Sequence, residues 1–243
     1  AQNAPAPKTP LTVESSPDDI IALMLNSHTQ WQTIEASAIT TFNDTAWETN
    51  IQLEQYGKGR GDYGPPGLKP EFSWLSDGNT LWQVNLTDNI YKEYALPEDV
   101  KSLASYGPTS LPVDETGTFI IRHPLDGTFP SMLSSFFFPH GLAQSFSQRQ
   151  IDVLGSDKIA GRDAVVILTQ IFDNEGKLVK KHEYWIDTST GVILQSRVYT
   201  EATGWYKWAE QTTVTEIVYD IQFSDKTFKF EPAQNWQNGS IDK

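Results

Sequence analysis

Apolar and β-branched positions in the second half of the chain form long runs that are separated by short, glycine-containing segments. Five runs predict strands, which cover residues 151–154, 164–172, 177–186, 192–200 and 205–219. Glycine in the segments between them tolerates the positive φ that tight hairpin connections require. Strands joined by such short connections are antiparallel neighbours, because a parallel return needs a dozen or more residues. The pattern therefore predicts an antiparallel meander.

The first half of the chain predicts a helix followed by further strands. Ser16-Pro17-Asp18-Asp19 combines a capping residue, a proline suited to the first helical position and two acids that complement the helix dipole. Strands are then predicted at 34–42, 46–56, 72–75, 80–85 and 90–95. Segment 57–67 contains a Gly-Lys-Gly-Arg-Gly run, but it lacks the spacing of a phosphate-binding loop and no helix follows it. We therefore expect a mobile loop or a bulged strand end there.

The pattern of strands and turns is absent between residues 107 and 147, where five prolines interrupt the chain. An apolar cluster lies within this insert, at Met132, Leu133, Phe136, Phe137 and Phe138. Five apolar side chains in seven positions are too many for one face of an exposed helix. We therefore expect the cluster to form a short helix that either is covered by the sheet or itself covers an apolar surface. Of these two arrangements we predict the second, a lid.

Charge and composition narrow the classes of function. The 243 residues include 18 Lys and Arg against 31 Asp and Glu, a net charge of −13, which argues against binding to nucleic acid or anionic membranes. Cysteine is absent, which excludes disulfides and thiolate chemistry. From the Pro- and Ala-rich start without Met we expect an exported protein trimmed of its signal peptide. We expect a flexible tether at 1–15, a single domain at 16–232 and a polar tail at 233–243.

Motifs of catalysis and metal binding are missing from the sequence. Its four histidines lack metal-ligand spacing and no GxSxG nucleophile turn occurs, so we predict no catalytic residues, no metal and no cofactor. The abundant acids do not single out a catalytic carboxylate pair. Aromatic residues are prominent, with 8 Trp, 9 Tyr and 12 Phe. They either fill an ordinary core or line an apolar cavity between a curved sheet and a helical cover.

Two motifs resemble those of a known superfamily. Ser76-Asp77-Gly78-Asn79-Thr80-Leu81-Trp82, followed by Ile90-Tyr91-Lys92-Glu93-Tyr94, resembles a recurrent hairpin of the LolA/LolB lipoprotein carriers. Residues 181–187 with 190–194 are similar to a strand pair of the related sensor RseB. The resemblance covers about residues 16–230. It implies an incomplete antiparallel barrel of about eleven strands, with helices across its concave face and an interior that accommodates acyl chains.

We therefore predict a mainly β (α+β) fold, a LolA-like half-barrel with short helices over its concave face. The predicted function is that of an exported, non-enzymatic monomer that is periplasmic or lipid-anchored on the outer side of the cytoplasmic membrane. Its ligand would be a lipid or lipoprotein acyl chain, with a membrane-anchored protein as a further partner. The candidate cavity lining is Trp47, Ile51, Leu53, Trp74, Trp82, Val166, Leu168, Trp185 and Leu194. The alternatives are an RseB-like envelope-stress sensor that binds a membrane-bound anti-sigma factor, and an enzyme acting on envelope polymers.

Overall fold

The structure is a computed structural model, and it describes residues 9–55, 57–101, 123, 125, 133–146, 149–205, 207–224 and 226–239. Among these residues the helices are α1 (Pro17–Leu25), α2 (Glu98–Lys101), α3 (Ser134–Phe137) and α4 (His140–Phe146). The strands of the first half are β1 (Thr33–Phe42), β2 (Thr45–Glu54), β3 (Lys58–Gly64), β4 (Phe72–Asp77), β5 (Thr80–Asn85) and β6 (Ile90–Ala95). Those of the second half are β7 (Ile151–Ile159), β8 (Arg162–Phe172), β9 (Leu178–Asp187), β10 (Ile193–Thr200), β11 (Glu210–Tyr219) and β12 (Gln237–Asn238).

All twelve strands belong to one sheet, in the order β12-β6-β5-β4-β3-β2-β1-β11-β10-β9-β8-β7. In the part of the chain that is described, β12 and β7 have one neighbour each, so the sheet does not close into a barrel. Of the described residues, 49% lie in strands and 14% in helices, which makes the fold mainly β. The predicted fold class is confirmed. The resemblance implied about eleven strands, and the additional one is the two-residue β12, which pairs with β6 in parallel.

The chain divides into two compact units, each described separately below. The helix unit comprises Ala1–Gln30, Ile39–Ala46 and Ser131–Glu216, and the hairpin unit comprises Trp31–Ala38, Trp47–Pro130 and Ile217–Lys243. The boundaries between the two fall inside β1, β2 and β11. The assignment of residues 16–232 to a single domain stays a prediction.

Helix α1 begins as its sequence signal predicts. The Ser16 hydroxyl accepts from the Asp19 amide at 3.2 Å, and the Asp19 carboxylate accepts from the Ser16 amide at 3.2 Å, which completes a capping box. At its other end α1 packs against the β9–β10 turn. A Cβ placed on Gly191 would lie 2.8 Å from the carbonyl oxygen of Leu23, so only glycine allows the helix to approach this closely.

Strand β3 corrects the expectation of a mobile loop or a bulged strand end at residues 57–67. Seven residues of this segment form a strand that pairs with both β2 and β4. Gly59 and Gly61 are two positions apart and therefore lie on one face, where a Cβ on Gly59 would come within 2.7 Å of Leu125 Cδ1. The glycines make room for apolar side chains from elsewhere, and Lys58 and Arg60 occupy the other face.

Strand β11 begins later than the predicted residue 205. Residues Glu201–Thr203 form a 3-10 turn, and both Gly204 and Trp205 have φ of 64°, in the left-handed region. Two consecutive left-handed residues are incompatible with an extended strand, which explains why the ladder resumes at Glu210.

Candidate ligand-binding site

Helices α3 and α4 of the helix unit carry the cluster that the sequence predicts to be a lid. Pro139 separates the two, so the predicted single helix is two short ones. Leu133, Phe136 and Phe137 are fully buried and Phe138 nearly so, whereas Met132 lies outside the described residues. Helices of four and seven residues are too short to be stable alone, so packing holds this segment in place.

Helices α3 and α4 pack on one face of strands β9 and β10, and we call this face of strands β8 to β11 the covered face. The ring of Phe146 on α4 lies 5.3 Å from the ring of Tyr184 on β9. Directly paired residues of neighbouring strands have their side chains on the same face of the sheet. The residues in the same cross-strand row as Tyr184 are Ile167 on β8, Ser196 on β10 and Thr212 on β11, so they too lie on the covered face. One step along the strands, the covered face is apolar, with Val165 paired to Ile186 and both fully buried.

In the opposite direction along the strands the covered face becomes polar. Thr169, His182, Val198 and Glu210 form the next cross-strand row. His182 is 5% exposed and its Nδ1 lies 2.6 Å from the Tyr184 hydroxyl. Burial lowers the pKa of His182 to about 4, and the positive charges of Lys180 and Arg149 act in the same direction. The ring is therefore neutral at ordinary pH.

Burial also shifts the pKa values of two further ionisable side chains near this polar row, Tyr184 and Glu210. Burial raises the pKa of the Tyr184 phenol, so its hydroxyl stays protonated. Burial also raises the pKa of Glu210, and the charge of Lys180 opposes this shift. The covered face thus combines an apolar end with a polar end that two cations flank.

Three of the predicted lining residues in the helix unit lie on the other face of the strands. Val166 pairs with Trp185, and Leu168 pairs with Glu183. Trp185 donates its indole N–H to Asp157 at 2.9 Å and stacks under the Arg197 guanidinium at 4.8 Å. These partners are polar and the side chains point away from the Tyr184 face.

Leu194 and Asp187 lie beside the β9–β10 turn, within the RseB-like motif. Leu194 is fully buried and is the extra residue at an irregularity between β10 and β9. Asp187 is 1% exposed, receives two hydrogen bonds from Arg162 at 2.7 and 3.2 Å, and accepts the Ser189 and Thr190 amides. The acidic position of the motif therefore fixes the turn and pairs with a cation.

Four of the five predicted lining residues in the hairpin unit share a face. Leu53 pairs with Gly59, and Ile51 pairs through Gly61 with Trp74. Trp47 belongs to the same face by alternation along β2. The fifth residue, Trp82, lies on the opposite face, half-buried, and donates to Glu93 at 3.2 Å.

Sequence reasoning missed the residues that carry the covered face. Phe146, Tyr184, Ile167 and His182 were not among the candidates. Residues 164–168 are apolar at every position, so alternation could not identify the buried face of β8. The usable signal was β9, where Glu183 and Lys181 alternate with buried His182 and Tyr184. The lining list stays a prediction.

Two surface hollows lie outside the predicted lining, and the first includes Val165 of the covered face. One, of about 450 Å³ in the helix unit, is lined by residues 10–12, 156–158, 163–165 and 188. The other, of about 570 Å³ in the hairpin unit, is lined by residues 68–71, 86 and 87. None of the predicted lining residues belongs to either hollow.

In the described part of the chain, neither a metal-binding cluster nor a membrane-spanning helix occurs. No cluster of three or more His, Cys, Asp or Glu side chains that could hold a metal ion occurs there. None of the helices described is long and apolar enough to cross a membrane.

Comparison with solved structures identifies the fold. A chain in the MucA/MucB complex of Pseudomonas aeruginosa is similar over 89% of this chain, with a TM-score of 0.52 and 14% identity. MucB in complex with MucA(peri) matches over 93% of this chain, with a TM-score of 0.52 and 14% identity. This chain spans 62% and 63% of the length of those two chains.

A third similar structure has nearly the same length as this chain. It is an uncharacterized conserved protein from Thermus thermophilus, covered over 99% of its chain and 92% of this one, with a TM-score of 0.52 and 9% identity. No protein-family model and no curated protein matches the sequence. MucB is a protein of the RseB type. This chain therefore shares its fold with the MucB chains, in accord with the LolA/LolB/RseB-like resemblance predicted from its two motifs.

Proposed function

We propose that this chain is an exported, non-enzymatic binding protein that holds an acyl chain of a lipid or lipoprotein between α3–α4 and the covered face. The observation that carries the proposal is the composition of the cover. Phe136, Phe137 and Phe146 are fully buried, although the helices that present them have only four and seven residues. Apolar contacts of these rings help to hold such a short segment on the sheet, and an alkyl chain offers contacts of the same kind.

The energy of the exchange favours an acyl ligand. Each buried methylene contributes about 0.8 kcal/mol, so ten of them supply roughly 8 kcal/mol before the cost of displacing the helices is subtracted. This contribution depends on area and not on charge, which makes it compatible with a protein of net charge −13. We place the site outside the cytoplasm, in the periplasm or on the outer side of the cytoplasmic membrane.

The test is uptake of a fluorescent fatty acid by the wild-type chain and by Phe137→Asp. The substitution places a charge in the buried side of the cover and should weaken uptake at least tenfold. Phe172→Asp is the matched control, because Phe172 is 54% exposed at the end of β8 and should leave uptake unchanged. Phe137→Ala, with circular dichroism of all variants, separates loss of the site from loss of the fold.

Lipid extraction of protein purified from its own envelope gives the independent measurement. A co-purifying acyl lipid is the expected result. Absence of bound lipid together with no uptake of the probe by the folded wild-type chain would refute the carrier proposal and leave the aromatic cluster as ordinary core.

A second candidate function is an RseB-like sensor that binds a membrane-anchored partner. The observation that favours it is the similarity to the MucB chains over 89% and 93% of this chain, both in complexes with MucA. The discriminating experiment is calorimetric titration with the envelope-exposed segment of an anti-sigma factor from the same organism. Binding that changes when a fatty acid is present supports the sensor, whereas lipid uptake without partner binding supports the carrier.

A further inference from the structure

The polar row of the covered face contains two buried polar atoms without hydrogen-bond partners among the described residues. They are Oγ1 of Thr169, whose residue is 0% exposed, and Nε2 of His182, whose residue is 5% exposed. The two residues are direct cross-strand partners on β8 and β9. Their Cβ atoms are therefore about 5 Å apart, and one ligand atom between the side chains can contact both.

The direction of these side chains follows from Tyr184. His182 and Tyr184 are two residues apart on β9 and their side chains are hydrogen-bonded, so both lie on the covered face. Phe146 of α4 packs on Tyr184 at 5.3 Å between ring centres. Thr169 and His182 thus point toward the helices, into the space where we propose that the acyl chain enters.

Both unpartnered atoms are donors. The Tyr184 hydroxyl has His182 Nδ1 as its partner among the described residues, and we assign its proton to this contact. A neutral ring whose Nδ1 accepts carries its proton on Nε2, which therefore donates. The Thr169 hydroxyl can rotate to donate as well. Two convergent donors match an oxygen acceptor and reject an ammonium group.

The charges around the row favour a negatively polarised group. Lys180 and Arg149 both act electrostatically on His182, although the chain as a whole has a net charge of −13. Glu210 is the acid of the same row, and burial raises its pKa, which reduces its negative charge at a given pH. Two cations thus act on this row in a protein whose net charge is negative.

We infer that Thr169 and His182 form the polar end of the lipid site and bind the carboxylate or ester carbonyl oxygen of an acyl chain. The alkyl chain then extends along the covered face toward Val165 and Ile186. This inference rests on the proposed function, and it adds the direction in which the ligand lies and the chemistry of the head that the site accepts. Leaving two buried donors unpaired costs stability, which is a common cost of a binding site.

The test compares Thr169→Val with the wild-type chain and uses three probes that share a twelve-carbon tail. Dodecanoate has a carboxylate, monododecanoylglycerol has an ester carbonyl, and dodecyltrimethylammonium has no acceptor. Calorimetry with the wild-type chain should give at least one oxygen-bearing probe an affinity about tenfold higher than that of the ammonium probe. Whichever of dodecanoate and monododecanoylglycerol binds more tightly shows whether the site accepts a carboxylate or an ester carbonyl. Thr169→Val should abolish this preference and leave affinity for the ammonium probe unchanged.

A second readout separates binding from structure. Removing a hydroxyl that has no partner should raise Tm by about 2–4 °C while it weakens binding of the oxygen-bearing probe about tenfold. Thr213→Val is the matched control, because Thr213 lies on the opposite face and bonds Gln195 at 3.0 Å. Its probe affinities should equal those of the wild-type chain.

Three results would overturn the inference. Equal dodecanoate affinity in Thr169→Val and wild type would do so, as would a lower Tm, which would assign the hydroxyl to the fold. A crystal structure with a water molecule bridging the two side chains and the probe bound elsewhere would also refute it. Failure of the wild-type chain to bind any of the three probes is a different outcome, because it refutes the proposed function itself.

Discussion

Acidification from pH 7 to pH 5 should destabilise the helix unit through two buried histidines. Burial lowers the pKa of His28 and of His182 to about 4 from the usual 6.5. The charge of His140 on α4 contributes to the shift of His28, as those of Lys180 and Arg149 do for His182. The folded state keeps both rings neutral, whereas the unfolded chain binds protons near pH 6.5. Their contribution to stability is therefore fully present above pH 6.5 and is lost as the pH falls toward 4.

The magnitude follows from linkage between protonation and folding. For a ring with a pKa of about 4 in the folded state and 6.5 in the unfolded state, the loss between pH 7 and pH 5 is roughly 2 kcal/mol. The two histidines together give roughly 4 kcal/mol as an upper bound. Glu210 acts in the opposite sense, because a raised pKa means that acidification favours the folded state through this group.

The assay is urea unfolding at pH 7, 6 and 5 at constant ionic strength, followed by tryptophan fluorescence. His182→Gln should remove about half of the loss, and the double variant His28→Gln/His182→Gln should be nearly flat over this range. An unchanged m-value would indicate that the two-state comparison holds. A double variant that loses as much stability as the wild-type chain would refute the reasoning and place the titration on other groups.

Three further predictions concern the turn, its ion pair and the face of the sheet. Gly191→Ala should cost about 3 kcal/mol or more in urea unfolding, because it combines a φ of 73° with a Cβ 2.8 Å from the Leu23 carbonyl oxygen. Gly176→Ala, at φ 77° with no neighbour within 4 Å, should cost only about 1–2 kcal/mol, and equal costs would contradict the close approach of α1. Asp187→Ala should cost about 3 kcal/mol by the same measurement, since it removes the acceptor of two backbone amides and a guanidinium, and a loss below about 1 kcal/mol would show the network to be dispensable. Trp185→Phe should leave fatty-acid probe affinity within about twofold in a fluorescence titration, and a tenfold loss would place the lipid on the other face of the strands.

The fold could be predicted from sequence wherever the local signal was redundant. Helix α1 carries its capping residue, its proline and its acids within four positions, and its observed start agrees. Strand β3 was missed because glycine is depleted from strands in general. The reason for Gly59 is a contact with Leu125, 66 positions away, and no local pattern reports a distant contact.

The candidate site was harder to predict because it depends on which face of a strand is covered. The apolar cluster was identified from composition, and four of its five residues are buried in the structure as described, while its role as a lid stays a prediction. The strand face under this cluster was not identified, because Val165 and Val166 are chemically alike. Only the pairing register to Tyr184 and the position of Phe146 show which of the two valines lies on the covered face. A shift by one residue exchanges all the side chains of a strand between faces.

The last short strand of the chain has a consequence for self-association. Residues predicted to be a polar tail include β12, where the Gln237 amide donates to the Asn89 carbonyl and the Gly239 amide donates to the Tyr91 carbonyl, each at 3.0 Å. Just before it, the ring of Trp236 packs on Phe230 at 5.3 Å. These few residues cover the edge of β6. Without them, the unpaired backbone N–H and C=O groups of β6 would be free to pair with a strand of another molecule. A chain shortened after residue 232 should therefore remain folded and yet form aggregates.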